Sequence, residues 1–205
     1  MYKRQVLIGP GMMRDEGSHN KDQIISIKEI NELPHEGQQS YHLTKYLLAN
    51  YPQKKWVIDA GALQMIDLSW LKKLEQPAIL TPHQGEFERV FGTSGDEQKV
   101  SAMAKKYNSI ILLKGEFDIV CGPDRCLQIT GGNAGMTKGG TGDVLAGLVG
   151  GLATKNEQFL SAAAGAYFNK KAGEALFERV GFYYNASDLA SEIPVVMKKE
   201  LGITS

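Results

Sequence analysis

At 205 residues and 42% hydrophobic content, the chain can form one domain with a sizeable core. Its 23 Lys and Arg cancel 23 Asp and Glu, which argues against a nucleic-acid surface or a charged tail. No signal-peptide-like apolar stretch points to a membrane.

In chain order, the apolar run 6–8 reads as a short strand and the polar stretch 12–22, with Gly17, Ser18 and Asn20, as a loop. Tyr41, Leu43, Tyr46, Leu47 and Leu48 fall at helical spacing over 38–50, ended by Asn50-Tyr51-Pro52. Residues 57–63 read as a buried strand ending in an acid, Asp59. Ser69 is placed to cap a short helix over 70–74. The run 78–80 is a strand, 85–91 a helix, and Asp96 caps a helix through Tyr107. A strand at 110–113 precedes a hairpin, 117–121 with 126–130, closed by Gly122-Pro123-Asp124-Arg125. Helices follow over 144–153 and 160–176. Ser187 is placed to cap a last helical piece, and Pro194 to open another. Strands alternating with helices give an α/β fold with a mostly parallel sheet and a short antiparallel insert.

The two cysteines, Cys121 and Cys126, are too few for a disulfide framework or a closed zinc site. Facing each other across the hairpin turn they could bridge. The expectation is reduced, partly buried thiols in a cytoplasmic protein.

The densest chemistry lies at Gly139-Gly140-Thr141-Gly142-Asp143, which feeds the apolar helix from Val144. Glycines let backbone N–H groups approach an anion without a Cβ in the way, and a helix start adds unpaired donors and partial positive charge. The loop is neither a Walker A sequence nor a Rossmann fingerprint. Asp143 beside a phosphate site suits a base that takes a proton from a hydroxyl, or a group near Mg²⁺. Gly9-Pro10-Gly11, Asp59, Thr81-Pro82-His83, Lys114-Gly115 and this loop all follow predicted strands. An open α/β sheet therefore brings them to one edge, where ligands bind.

With Thr81-Pro82-His83-Gln84-Gly85-Glu86 and Leu113-Lys114-Gly115 in this order, the chain resembles the ADP- or ATP-dependent NAD(P)H-hydrate dehydratases of the ribokinase-like superfamily. The resemblance covers about residues 6–195. It implies a three-layer α/β/α fold with a mostly parallel central sheet. It also implies repair of hydrated NADH and NADPH, in which ADP or ATP phosphorylates the ring hydroxyl with Mg²⁺ and phosphate then leaves. Asp143 would be the catalytic base and a substrate contact, with Gly11 and His83 as further substrate contacts. Lys114, Gly115, Glu116, Phe117 and Asp118, with Gly139, Gly140, Thr141 and Gly142, would line the nucleotide. No protein metal ligand is assigned. Asp59 could sit near the phosphates or cap the next turn, and Glu86 could be metal-linked or a first-turn acid. A homo-oligomer, often a tetramer, is implied as well.

Departures from the family pattern are Lys138 for a small residue, Gln84 for Pro and Asn169 for His. Lys138 is expected as a solvated loop lysine rather than a phosphate ligand. The family's domain has further strands before Gly9-Pro10-Gly11, so residues 1–205 are expected to be a single domain shortened on its N-terminal side. A vitamin-precursor kinase of the same fold and a non-catalytic nucleotide-binding module remain alternatives. The Thr-Pro-His motif favours the dehydratase over the kinase.

Overall fold

The computed structural model describes residues 5–14 and 24–203. Most of the loop expected over 12–22, with Gly17, Ser18 and Asn20, lies outside the described residues. One sheet runs β1 (Gln5–Ile8), β2 (Lys55–Ile58), β3 (Ile79–Leu80), β4 (Ile110–Leu113), β5 (Asp118–Cys121) and β6 (Cys126–Ile129), in that spatial order. β1 to β4 pair in parallel, whereas β5 and β6 add on antiparallel.

Successive strand residues face opposite sides, and the two cores follow that alternation. Trp56, Ile58, Leu80, Ile111 and Leu113 pack against α2 (Glu36–Asn50), α3 (Ala60–Met65), α4 (Leu68–Leu71), α5 (Gln84–Phe91) and α6 (Glu97–Tyr107), with α1 (Ile27–Asn31) against α2. Val57, Ile79, Ile110, Leu112 and Val120 pack against α7 (Thr141–Ala153) and α8 (Gln158–Val180). A third layer of contacts joins α8 to α9 (Ala186–Glu200). A Cβ on Gly165 of α8 would stand 2.5 Å from Val149 Cγ2 of α7, so this glycine sets the close approach of the two helices. The architecture is the three-layer α/β sandwich expected. No helix among the described residues is long and apolar enough to cross a membrane.

Several local expectations need correction. The strand register sets Cys121 opposite Cys126 with their Cα atoms 4.1 Å apart, and the two are joined in a disulfide rather than left as thiols. The compartment argument drawn from free thiols falls with that. The run 57–63 is a strand only to Ile58, and Ala60 onward is α3. A Cβ on Gly61 would meet Met12 O at 2.0 Å, so the tight packing of the first turn of α3 against the end of the β1 turn selects glycine there. Asp67, not Ser69, caps α4. Asn185, not Ser187, caps α9, forming a reciprocal box with Asp188. Pro194 sits inside α9 instead of opening a new helix. Asp96 caps α6 as expected.

Candidate active site

The glycine loop ends in a left-handed Gly140 (φ 87°) from which α7 starts. Thr141 is buried, and its hydroxyl lies 2.6 Å from Met136 O and 2.7 Å from Lys138 O, which ties the loop down from within. Among the described residues, the backbone N–H groups of Gly139, Gly140, Gly142 and Asp143 have no acceptor. The exposed Asp143 carboxylate likewise has no ion pair or hydrogen bond there. Unpaired donors at a helix start suit an anion, and one unpartnered carboxylate stands among them.

A charged cluster faces these donors from the strand ends. Asp59 follows β2 and is 1% exposed. Its Oδ1 lies 3.0 Å from Lys114 Nζ, and Glu86 Oε2 lies 3.8 Å from the same ammonium. A Cβ on Gly142 would stand 3.5 Å from Lys114 Nζ, which places the ammonium beside the first turn of α7. Lys114 N–H donates to Pro82 O at 2.8 Å, and His83 bridges to Lys114, so the β3 and β4 ends lie side by side. Glu86 is held from both sides: Gln64 Nε2 donates to Oε1 at 2.9 Å and His83 N–H to Oε2 at 2.9 Å. His83 Nδ1 accepts the N–H groups of Gly85 and Glu86 at 3.1 and 3.2 Å, completing a capping box for α5. The His83 side chain is 59% exposed, and its Nε2 lies 3.6 Å from Glu86 Oε2.

The turn after β4 is organised from below. Asp118 Oδ1 accepts the Gly115 N–H at 3.0 Å, and Lys170 Nζ of α8 lies 3.4 Å from the same oxygen. Burial pushes the Asp118 carboxyl above its ordinary value, and the attraction of Lys170 only partly offsets this. Glu174 Oε1 accepts Gly132 N–H at 3.1 Å, and Asn133 Nδ2 donates to Gly173 O at 2.7 Å. α8 therefore holds the loop leading to the glycines.

The strand ends thus bring together Asp59, His83, Glu86, Lys114 and Gly142, as their positions after predicted strands required. Gly11 lies in the turn after β1, where Met12 N–H donates to Gly9 O at 3.0 Å and Gly11 has φ 74°. Phe117 and Glu116 are exposed beside Lys114, whereas the Asp118 side chain is buried, with Oδ1 held by the Gly115 N–H and Lys170. Lys138 is exposed, as a loop lysine is expected to be, but its ammonium is not free. Its ammonium donates to Phe182 O, and to Tyr184 O at 2.6 Å, and lies over the Tyr184 ring. Asp59 neither caps α3 with its side chain nor stands free; Lys114 takes it. Thr81 Oγ1 at the end of β3 and Asn169 Oδ1 on α8 are buried without a hydrogen-bond partner.

Sequence reasoning missed Lys170, Glu174, Asn133 and Gln64. Lys170 had left a signal, since it continues the four-residue spacing of the buried Ala162 and Ala166.

A groove of about 610 Å³ beside β1, lined by Val6, Leu47, Trp56, Gly147 and Gly151 among others, contains none of these polar residues.

Comparison with known proteins agrees with this geometry. A sequence model described as NAD(P)H-hydrate dehydratase matches residues 3–195. The chain is 44% identical over 151 residues to the bifunctional NAD(P)H-hydrate repair enzyme Nnr of Methanocaldococcus jannaschii, over 74% of this chain and 29% of that protein. It is 38% identical over 181 residues to the ADP-dependent (S)-NAD(P)H-hydrate dehydratase of Nitrosopumilus maritimus, over 85% of this chain and 59% of that protein. The solved ADP/ATP-dependent NAD(P)H-hydrate dehydratase of Bacillus subtilis, co-crystallized with ATP/Mg2+, matches with a TM-score of 0.73 at 27% identity. That match covers 96% of this chain and 64% of the solved one. The chain thus spans less than two thirds of each of these relatives. With a family match over nearly its whole length, the chain belongs to the NAD(P)H-hydrate dehydratase family.

Proposed function

We propose that this domain restores hydrated NADH and NADPH by ADP-dependent dehydration. The observation that carries the reading is the row of unpaired N–H groups at Gly139, Gly140, Gly142 and Asp143, with the unpartnered Asp143 carboxylate at its end. Asp143 takes the proton of the ring hydroxyl as its oxygen attacks the terminal phosphorus of the nucleotide. The O–P bond to the leaving nucleotide breaks, giving AMP and a phosphate ester of the ring. The C–O bond of that ester then breaks, phosphate leaves, and loss of the neighbouring C–H proton restores the double bond. Phosphate is a far better leaving group than hydroxide, which is why the nucleotide is consumed.

The glycine N–H groups stabilise charge on the phosphoryl group in transit. Lys114, held by Asp59 beside Gly142, is placed to bind phosphate oxygens of the nucleotide. Gly115, Glu116 and Phe117 line the nucleotide from the β4 end, with Asp118 fixing their turn. His83 offers its exposed ring, and Gly11 its turn, to the substrate.

The donor set fits Mg²⁺ only as a cation held mainly by phosphate oxygens and water. Asp59 and Glu86 are already engaged, and among the described residues no three His, Cys, Asp or Glu converge. Asp143 is the carboxylate free to face such an ion, whose contribution is to neutralise phosphate charge. The same reading carries a homo-oligomer, in which exposed Phe177, Phe182 and Tyr183 are surface available for burial.

The test is absorbance at 340 nm with hydrated NADH, Mg²⁺ and ADP or ATP. Recovery that requires nucleotide and is lost in Asp143→Asn, with nucleotide affinity kept within about tenfold, is the expected result. Near-normal turnover in Asp143→Asn removes the base assignment. No recovery despite ADP binding turns the reading to a kinase acting on another alcohol.

A further inference from the structure

Lys170 is 5% exposed, and an ammonium is costly to bury unless its charge and donors are met. Here they are met by main chain drawn from two separate loops. Nζ donates to Gly115 O at 3.2 Å, Glu116 O at 3.0 Å and Gly131 O at 3.3 Å, with Asp118 Oδ1 at 3.4 Å. Two successive carbonyls, 115 and 116, thus turn toward the same buried point.

Peptide planarity gives that arrangement a consequence. In a trans peptide the C=O of one residue and the N–H of the next point in opposite directions. Drawing Gly115 O and Glu116 O down onto Lys170 therefore turns the N–H groups of Glu116 and Phe117 away from it. Among the described residues neither N–H has an acceptor, whereas the N–H of Gly115 is taken by Asp118. Both residues are exposed, and only Gly115 separates them from Lys114, whose ammonium stands beside the first turn of α7.

We propose that Lys170 is a positioning residue for the nucleotide: by gathering the carbonyls of the β4–β5 turn it presents the Glu116 and Phe117 N–H groups as a donor pair for acceptor atoms of the nucleoside diphosphate. Its hold on Gly131 O fixes that turn relative to the loop that leads to Gly139, so the donor pair and the glycine cradle keep one spacing. The inference rests on the nucleotide-dependent reading above and adds a residue that touches no ligand itself.

The experiment is calorimetric titration of ADP with Mg²⁺ into wild type and Lys170→Met, with steady-state kinetics beside it. Lys170→Met is expected to weaken ADP binding and raise the ADP KM by about tenfold, the worth of one or two hydrogen bonds. The KM for hydrated NADH and kcat should stay within about threefold, which a general loosening of the fold would not allow. Hydrogen exchange on wild type gives a measurement that needs no variant: added ADP should protect the Glu116 and Phe117 amides. A folded Lys170→Met protein with wild-type ADP affinity, or bound ADP that leaves those amides unprotected, overturns the proposal while the nucleotide reading stands. Wild type that binds no nucleotide overturns both.

Discussion

The Lys114 ammonium lies 3.0 Å from Asp59 Oδ1, and across β3 it joins the ends of β2 and β4 to the start of α7. The pair is more than a surface ion pair, because Asp59 is almost wholly enclosed. Lys114→Met leaves that carboxylate buried without its partner, and the expected loss is about 3–5 kcal/mol of unfolding free energy in urea. Asp59→Asn combined with Lys114→Met should recover part of the loss, since the stranded charge is gone. A double variant no more stable than Lys114→Met alone would show that the pairing is not what Asp59 needs.

Gly140 and Gly142 are expected to respond oppositely to alanine. Gly140 has φ 87°, and a Cβ there would meet Ala186 Cβ at 3.0 Å. Gly140→Ala should therefore cost about 1–2 kcal/mol of stability. Gly142 is helical, and its added Cβ would make ordinary contact with Lys114 Nζ at 3.5 Å. Gly142→Ala should leave stability unchanged or raise it by up to about 1 kcal/mol. It should nevertheless weaken ADP binding, because the methyl stands between Lys114 and the cradle. Thermal unfolding and ADP titration on both variants separate the two effects. Equal loss of stability would remove the assignment of Gly142 to a ligand-facing role.

Burial raises the Asp118 carboxyl above its ordinary value of 3.8. A carboxyl raised in the folded protein binds its proton more tightly there than in the unfolded chain. Its contribution to stability is present below the unfolded value and is lost as pH rises through the folded one. Asp118→Asn lacks that dependence. Relative to wild type, the variant should gain stability as pH is raised from about 4 to about 7 in urea unfolding series. A difference independent of pH would mean that Lys170 fully offsets the burial.

The Cys121–Cys126 disulfide closes a short hairpin, with a sequence separation of 5. So small a loop restricts the unfolded chain little, and reduction with dithiothreitol should lower the unfolding free energy by only about 2 kcal/mol. Turnover should persist, because the hairpin tip lies at the far end of β5 from Gly115. A reduced protein that fails to fold would assign the crosslink a larger part in holding the sheet edge.

The sheet and the strand-end placement of Asp59, His83, Lys114 and Asp143 were legible because they rest on short-range signals: apolar runs of strand length and glycine-rich turns after them. The α3 helix was not legible. Ala60 to Leu63 are small or apolar with no local helix signal, and the turn closed by Leu63 N–H on Asp59 O sets Gly61 tight against Met12 O. The caps at Asp67 and Asn185 were misplaced by two residues, because several polar side chains near each helix start could serve and packing chose among them. The disulfide required the register of β5 on β6, which pairs Cys121 with Cys126 only once the turn is fixed. Lys138 and Lys170 were the deepest misses. Each bonds main-chain carbonyls of segments distant in sequence, and no local pattern announces a carbonyl.

The parallel order of β1 to β4 has a thermodynamic consequence. Residues 9–11, 83, 114–117 and 139–143 come from turns spread over most of the chain, yet the crossovers deliver them to one edge. An occupant of that edge fastens these turns to one another, so its binding free energy is added to the folding free energy of the whole domain. At one hundred times its dissociation constant the gain is about 2.7 kcal/mol. The ligand acts there as a removable crosslink, reaching across a far longer stretch of chain than the covalent one at the hairpin.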